Sequence, residues 1–184
     1  MLKGADDRSA AVIKRLAHLD VPSVAEVGVW RGGMSRRMLY RLNLHLLMVD
    51  PWGDVPSNND DYYEQEFNGQ DWAEIRQQAI DNVSWAKDRV RIFHGTSEGA
   101  AGYFDEKFDL VFIDADHAYD AVVKDIALWW PKVAEGGYLS GHDYREDKDG
   151  FGVVEAVNEF AEEHGLTVDL GENYTWFIRK PDSC

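Results

Sequence analysis

Two short stretches of the chain gather ionisable side chains in positions suited to chemistry. In "FDLVFIDADHAYD" an apolar run ends in Asp114, Asp116 and His117, and in "GGYLSGHDY" another ends in His142 and Asp143. If the two runs lie side by side, five ionisable groups converge. Crowded carboxylates repel unless a cation binds or one acid keeps its proton. An oxygen-rich set with imidazole suits magnesium, manganese or calcium, and zinc less cleanly. The plainer reading is that Asp116 or His117 caps a helix starting near Ala118, a common role for Asp, and that Asp114 touches only a cofactor.

A third stretch, "EVGVWRGGMSRRM", sets Gly28, Gly32 and Gly33 behind Glu26. Glycine is used where backbone turns sharply or a ligand comes close. Val29, Trp30 and Arg31 separate Gly28 from Gly32, which breaks the G-x-G-x-x-G spacing of a dinucleotide site. Met34 and Ser35 follow Gly33 where a phosphate loop needs lysine and a hydroxyl residue. The pattern present is E-x-G-x-x-x-G. Shortly after it, "LLMVD" ends in Asp50, an acid placed to take both hydroxyls of a ribose.

The elements that must position these groups alternate. Ser9 is expected to cap a first helix carrying Val12, Leu16 and Leu19 on one face. Strand "SVAEVGVW", helix "GGMSRRMLYRL" and strand "HLLMVD" follow. A helix with Trp72, Ile75 and Ala79 aligned runs to about Asp88, and "VRIFHG" reads as a strand. "FDLVFIDA" is apolar almost throughout, as a strand buried on both faces is. "AYDAVVKDIALWW" reads as a helix with Val122, Ile126 and Trp130 in register, closed by Pro131. After strand "GGYLSGHDY" comes a helix with Val153, Val157 and Phe160 inward and Gly165 at its C-terminus. "LTVDL" and "YTWFIRK" close the chain as an antiparallel pair. This order predicts an α/β fold, a Rossmann-like doubly wound sheet, mostly parallel with an antiparallel strand pair at the C-terminal end. Ligands of such sheets bind beyond the carboxyl ends of the strands. Residues 53–71, polar and carrying Tyr62, Tyr63 and Phe67, read as an insertion able to lid an acceptor.

Glu26, Gly28 and Gly32, with Asp50 next in order, resemble the first motifs of class I S-adenosylmethionine-dependent methyltransferases. That cofactor carries an amino acid and a sulfonium in place of a pyrophosphate, so an acid near its ammonium is favourable. The resemblance runs over roughly residues 22–180. It implies a cofactor site of Glu26, Gly28, Gly32, Asp50 and Asp114, with Trp52 against adenine and Thr96 or Ser97 of "HGTSEG" as the adenine contact. The strands ending in Asp114 and Asp143 are similar to those of the branch that includes small-molecule O-methyltransferases. Metal-dependent members close the first of these strands with an acidic pair and the second with Asp-Asp-Tyr or Asp-Asn. By that match Asp114, His142 and Asp143 are the metal candidates, for magnesium or manganese. Here the second element reads His142-Asp143-Tyr144, a histidine in place of a carboxylate. The change weakens magnesium in particular, or allows a metal-free route with His142 as general base. A cation chelated by a diol lowers the hydroxyl's pKa and holds it in line for attack. His142 or Asp116 then accepts the proton.

The expected activity is therefore methyl transfer to a small-molecule acceptor, at a hydroxyl oxygen. Two rivals stand beside it. A nicotinamide-dependent oxidoreductase is argued against by the glycine spacing, and a non-catalytic S-adenosylmethionine-binding protein by the polar cluster. At 184 residues the chain fits one methyltransferase domain over 1–184. A formal net charge of −15 repels phosphate backbones and anionic bilayers, so neither nucleic acid nor membrane is an expected partner. The single cysteine, Cys184, excludes an intramolecular disulfide. The N-terminal stretch lacks the apolar core of a signal peptide and no run reaches membrane-spanning length, so the expected location is cytoplasmic. A homo-oligomer is left open.

Overall fold

In the computed structural model, residues 8–53, 69–145 and 150–182 are described. The chain runs α1 (Arg8–Leu16), β1 (Ser23–Val27), α2 (Gly33–Arg41), β2 (His45–Asp50), α3 (Trp72–Val83), β3 (Val90–His94), α4 (Ser97–Tyr103) and β4 (Phe108–Ile113). It continues through α5 (Tyr119–Trp129), β5 (Val133–Gly141), α6 (Val153–Glu163), β6 (Val168–Leu170) and β7 (Trp176–Arg179). Among the described residues the strands form one seven-stranded sheet in the order β3-β2-β1-β4-β5-β7-β6. Strands β1 to β5 pair in parallel, and β7 pairs antiparallel with both β5 and β6. The expected architecture is present.

Alternation along the strands divides the core in two. Val24, Leu46, Met48, Leu110 and Phe112 face one side with Val12, Met38 and Ile75 from α1, α2 and α3. Ala25, Leu47, Val49, Val111 and Ile113 face the other with Ala100, Ile126 and Val157 from α4, α5 and α6. Fully burying each large aliphatic side chain contributes about 1.5–3 kcal/mol. This two-sided burial is what fixes the register, because a one-residue slip would send every strand side chain to the wrong layer. Ile113 pairs with Gly141 across β4 and β5. Asp114 and His142, each one residue further on, therefore emerge side by side.

Several local expectations change. Ser9 lies inside α1 and is buried, so it does not cap that helix. The third helix ends at Val83 and continues as a 3-10 turn over Ser84–Arg89. In α5 the fully buried indole is Trp129, while Trp130 opens a 3-10 turn with Pro131 next to it. Helix α4 was not anticipated. Thr96 caps it by accepting a hydrogen bond from Gly99 N at 3.1 Å, the local satisfaction a short helix needs. Nearly all of the insertion read at 53–71, with Tyr62, Tyr63 and Phe67, lies outside the described residues.

Candidate active site

The sheet reverses its winding between β1 and β4, where crossovers leave in opposite directions. Such a switch point opens a crevice at the carboxyl ends of the strands. The glycine loop sits there. Gly28 has φ +87°, and a Cβ on it would lie 2.1 Å from the Asp114 carbonyl oxygen. Gly32 has φ +71° and opens α2, with Ala79 of α3 about 3 Å from where its Cβ would be. Each of these two glycines admits a neighbouring piece of the protein itself. Gly33 has nothing close.

Asp50 secures the same loop. Its Oδ2 accepts from the backbone N–H of Val29 at 2.8 Å and of Trp30 at 2.9 Å, and its Oδ1 from Trp52 N at 2.7 Å. Burial raises its pKa, and the three amides oppose that shift. A carboxylate offers about four acceptor positions, so three are committed to holding backbone. Trp52 is buried, with φ +40°, and donates Nε1–H to the Trp30 carbonyl at 2.9 Å. Glu26 lies beneath the loop, fully buried, and accepts from Ser35 Oγ at 2.5 Å. Burial pushes its pKa up to about 8; the Ser35 hydrogen bond and the charge of Arg8 pull the other way, and Asp114 and Asp50 add to the rise.

On the far side of β2, Ser97 is occupied within the protein. Its hydroxyl donates to Asp125 Oδ1 at 2.5 Å and accepts from Trp129 Nε1 at 2.8 Å, tying the start of α4 to α5. Asp125 is buried, which pushes its pKa up to about 6 against the Ser97 hydrogen bond, with Asp116 adding to the rise.

At the tips of β4 and β5, Asp114, His117, His142 and Asp143 converge, and Asp116 lines the same cavity as the first three. Asp143, at φ +55°, puts Oδ2 3.0 Å from both His117 Nε2 and His142 Nδ1. Burial opposes its charge, but hydrogen bonds and charge from the two imidazoles outweigh it and hold its carboxyl far below the usual range. Burial likewise works against a charged His117, yet Asp114 and Asp143 prevail and push its pKa up to about 9. The His117 ring is stacked on Phe151 at 4.3 Å. Asp114 turns two ways. Its Oδ1 lies 3.6 Å from His142 Nδ1 and 3.9 Å from His117 Nε2, while its Oδ2 pairs with Arg8 Nη1. Asp116 accepts from Ala118 N at 2.8 Å, closing the turn before α5.

One donor atom each from Asp114, His117 and Asp143 lies within 4.8 Å of the others. The 3.0 Å spacing of Asp143 and His117 matches the separation of about 3 Å between adjacent ligands of a small divalent cation. The set expected from sequence was Asp114, His142 and Asp143. The structure gathers His117 with Asp114 and Asp143, and His142 Nδ1 also lies 3.0 Å from Asp143 Oδ2 and 3.6 Å from Asp114 Oδ1. Sequence reading also missed Arg8 and Asp125. The Arg8–Asp114 pair spans 106 residues, so no local spacing announces it.

A mostly parallel sheet of this order with an antiparallel β7, a glycine loop at the switch point and an acid on the neighbouring strand tip fit a Rossmann-like class I methyltransferase. The chain belongs to that family: a model described as a methyltransferase domain matches residues 25–144. It is an S-adenosylmethionine-dependent methyltransferase, which sets aside the nicotinamide oxidoreductase. An uncharacterised protein, R132, of Acanthamoeba polyphaga mimivirus is 39% identical over 51 residues, 28% of this chain and only 23% of that protein's length. A candidate O-methyltransferase from Klebsiella pneumoniae superposes with a TM-score of 0.67 at 15% identity, covering 99% of this chain and 83% of that one. A candidate caffeoyl-CoA O-methyltransferase from Staphylococcus aureus gives 0.66 at 17% identity, covering 96% and 84%. A candidate rRNA methylase from Clostridium thermocellum gives 0.64 at 13% identity, covering 100% and 99%. Proteins with such different acceptors share this fold, so the fold alone does not choose the acceptor.

Proposed function

We propose that this chain methylates a hydroxyl oxygen of a small molecule, assisted by a divalent cation held by Asp114, His117 and Asp143. The observation that carries the reading is the convergence of two carboxylates and an imidazole at the tips of β4 and β5, beside the loop at the switch point. Two oxygens and one nitrogen favour manganese over magnesium. S-adenosylmethionine supplies an activated methyl on a sulfonium, and a cation supplies charge that lowers a hydroxyl's pKa. The protein's part is to align the acceptor and receive its proton. His142, steadied at Nδ1 by Asp143, takes that proton, and Asp116 stands behind it as the alternative. The net charge of −15 supports a small acceptor over a polyanion.

A metal-free reading has one observation in its favour: a single Asp143 oxygen braces both imidazoles. One assay separates the two. Purified protein is incubated with S-adenosylmethionine and a panel of diol, phenol, carboxylate and amine acceptors, with manganese, magnesium or a chelator. Formation of the demethylated donor is followed. The proposal expects transfer to a hydroxyl compound that the chelator stops and manganese restores, and that Asp143→Ala abolishes. Turnover indifferent to the chelator would leave the metal-free route, and transfer confined to amines would sink the hydroxyl assignment.

A further inference from the structure

The two ends of the sheet are finished differently. At one end β6 is three residues long and carries the exposed Asp169 at its centre. Short, charged edges of this kind discourage a further strand from adding on. At the other end β3 has five residues, with neither proline nor acid. Its register against β2 runs unbroken from Val90 opposite Leu46 to His94 opposite Asp50. Ile92, at its centre, is 37% exposed.

One hydrogen bond tells which backbone groups this edge offers. Gly95, just past β3, donates its N–H to the Asp50 carbonyl at 3.1 Å, toward β2. Backbone groups alternate sides along a strand, so Arg91 and Phe93 also face β2 and Ile92 aims its N–H and C=O outward. Among the described residues β3 is the last strand in the order, so no further strand of this chain meets that side.

Charge around β3 suits contact with itself. A two-fold interface sets a patch against its own copy, so a patch of one sign repels. On a chain of net charge −15 an acidic surface is excluded on that ground. Between Arg89 and Ser97 there is no carboxylate. Arg91 is tied back to Glu106, with Nη1 donating to Oε2 at 3.0 Å and Nη2 to Oε1, and its guanidinium lies 5.1 Å from the Phe104 ring centre. Phe93, Tyr103 and Phe104 cluster beside it, and Tyr103 is 72% exposed. The edge therefore offers apolar area and a neutralised charge next to outward-facing backbone.

We infer that two copies of this chain join antiparallel along β3, with a two-fold axis at Ile92, and so continue the seven-stranded sheet across the pair. Centred there, the Ile92 N–H of each copy donates to the Ile92 carbonyl of the other. Val90 then falls opposite His94 of the second copy, and Arg91 opposite its Phe93, which sets cation against ring instead of cation against cation. Arg91 and Phe93 share the face of α4, so the aromatic clusters flank the join on that side. The two Ile92 side chains meet on the other. A five-residue join with such flanks belongs to the smaller class of interfaces, so a reversible dimer in the micromolar range is expected.

The test is sedimentation of the full chain from about 5 to about 200 µM, with residue-resolved amide hydrogen exchange at both ends of that range. Wild type is expected to pass from monomer to dimer, and its Ile92 amide to exchange several-fold more slowly when concentrated. Ile92→Pro removes only the outward N–H and leaves the ladder to β2 in place, as an edge strand tolerates. Ile92→Lys sets two ammonium groups face to face across the axis. Each should weaken the dimer at least about tenfold, with the thermal midpoint of dilute protein within about 2 °C of wild type. Wild-type protein still monomeric at about 200 µM, or an Ile92 amide indifferent to concentration, would overturn the inference. A dimer that survives both substitutions would do the same, by placing the contact on another face.

Discussion

At Gly28 a single hydrogen decides whether the loop closes. Adding a methyl there would drive it into the Asp114 carbonyl and oppose a φ of +87°. Gly28→Ala is expected to lower stability by about 2–4 kcal/mol in urea unfolding and to weaken donor binding with it. Gly33→Ala, with open space around it, should stay within about 0.5 kcal/mol of wild type. Comparable losses at the two positions would refute the close-approach account. Glu26 and His117 make a second prediction, about pH. Both have folded-state pKa values above their ordinary ones, 4.5 rising to about 8 for Glu26 and 6.5 to about 9 for His117. Between those limits the folded protein binds more protons than the unfolded chain, so stability falls as pH rises. Metal-free protein should thus lose stability from about pH 5 to about pH 9. Glu26→Gln should flatten the lower part of that decline and His117→Gln the upper part, as read by thermal unfolding across pH. A wild-type curve that climbs over this range would contradict both assignments.

Among the elements, the short helix α4 depends on its neighbour. Ser97 bridges Asp125 and the Trp129 indole, so the segment expected to meet adenine is anchored by α5. Ser97→Ala would strip a buried carboxyl and a buried N–H of their shared partner. The expected cost is about 1–3 kcal/mol in thermal or chemical unfolding. If Ser97 were chiefly an adenine contact, the variant would lose donor affinity and keep its stability. The ratio of the two effects therefore assigns the residue. Asp116 shows the same competition between element and chemistry: its carboxylate closes the turn before α5 while lining the polar cluster.

Over the whole molecule, charge selects among acceptors that the fold permits. One fold neighbour is a candidate rRNA methylase, yet this chain carries −15. Phosphate backbones bind through lysine and arginine in excess, which an acidic field opposes at long range. No saturable binding of a structured RNA is expected in filter binding at about 0.15 M salt. Micromolar binding would count against a small-molecule acceptor. Among the described residues no helix is long and apolar enough to cross a membrane.

The periodicity of apolar residues was enough to place most helices and strands, because burial on two faces or one leaves a regular mark along the chain. Glycines, strand-end acids and their order were equally legible, since backbone geometry and strand-tip chemistry are local. Helix α4 escaped, being seven residues held by a Thr96 cap and a tertiary link more than by any apolar stripe. The partners of those acids were decided elsewhere. Asp50 turned to the loop amides, Ser97 to Asp125, and His117 and His142 both met Asp114 and Asp143. Arg8 reached Asp114 across 106 residues. A side chain's type and its place on a strand end are properties of the sequence, but which charge it meets depends on how the sheet brings distant tips within a few ångströms.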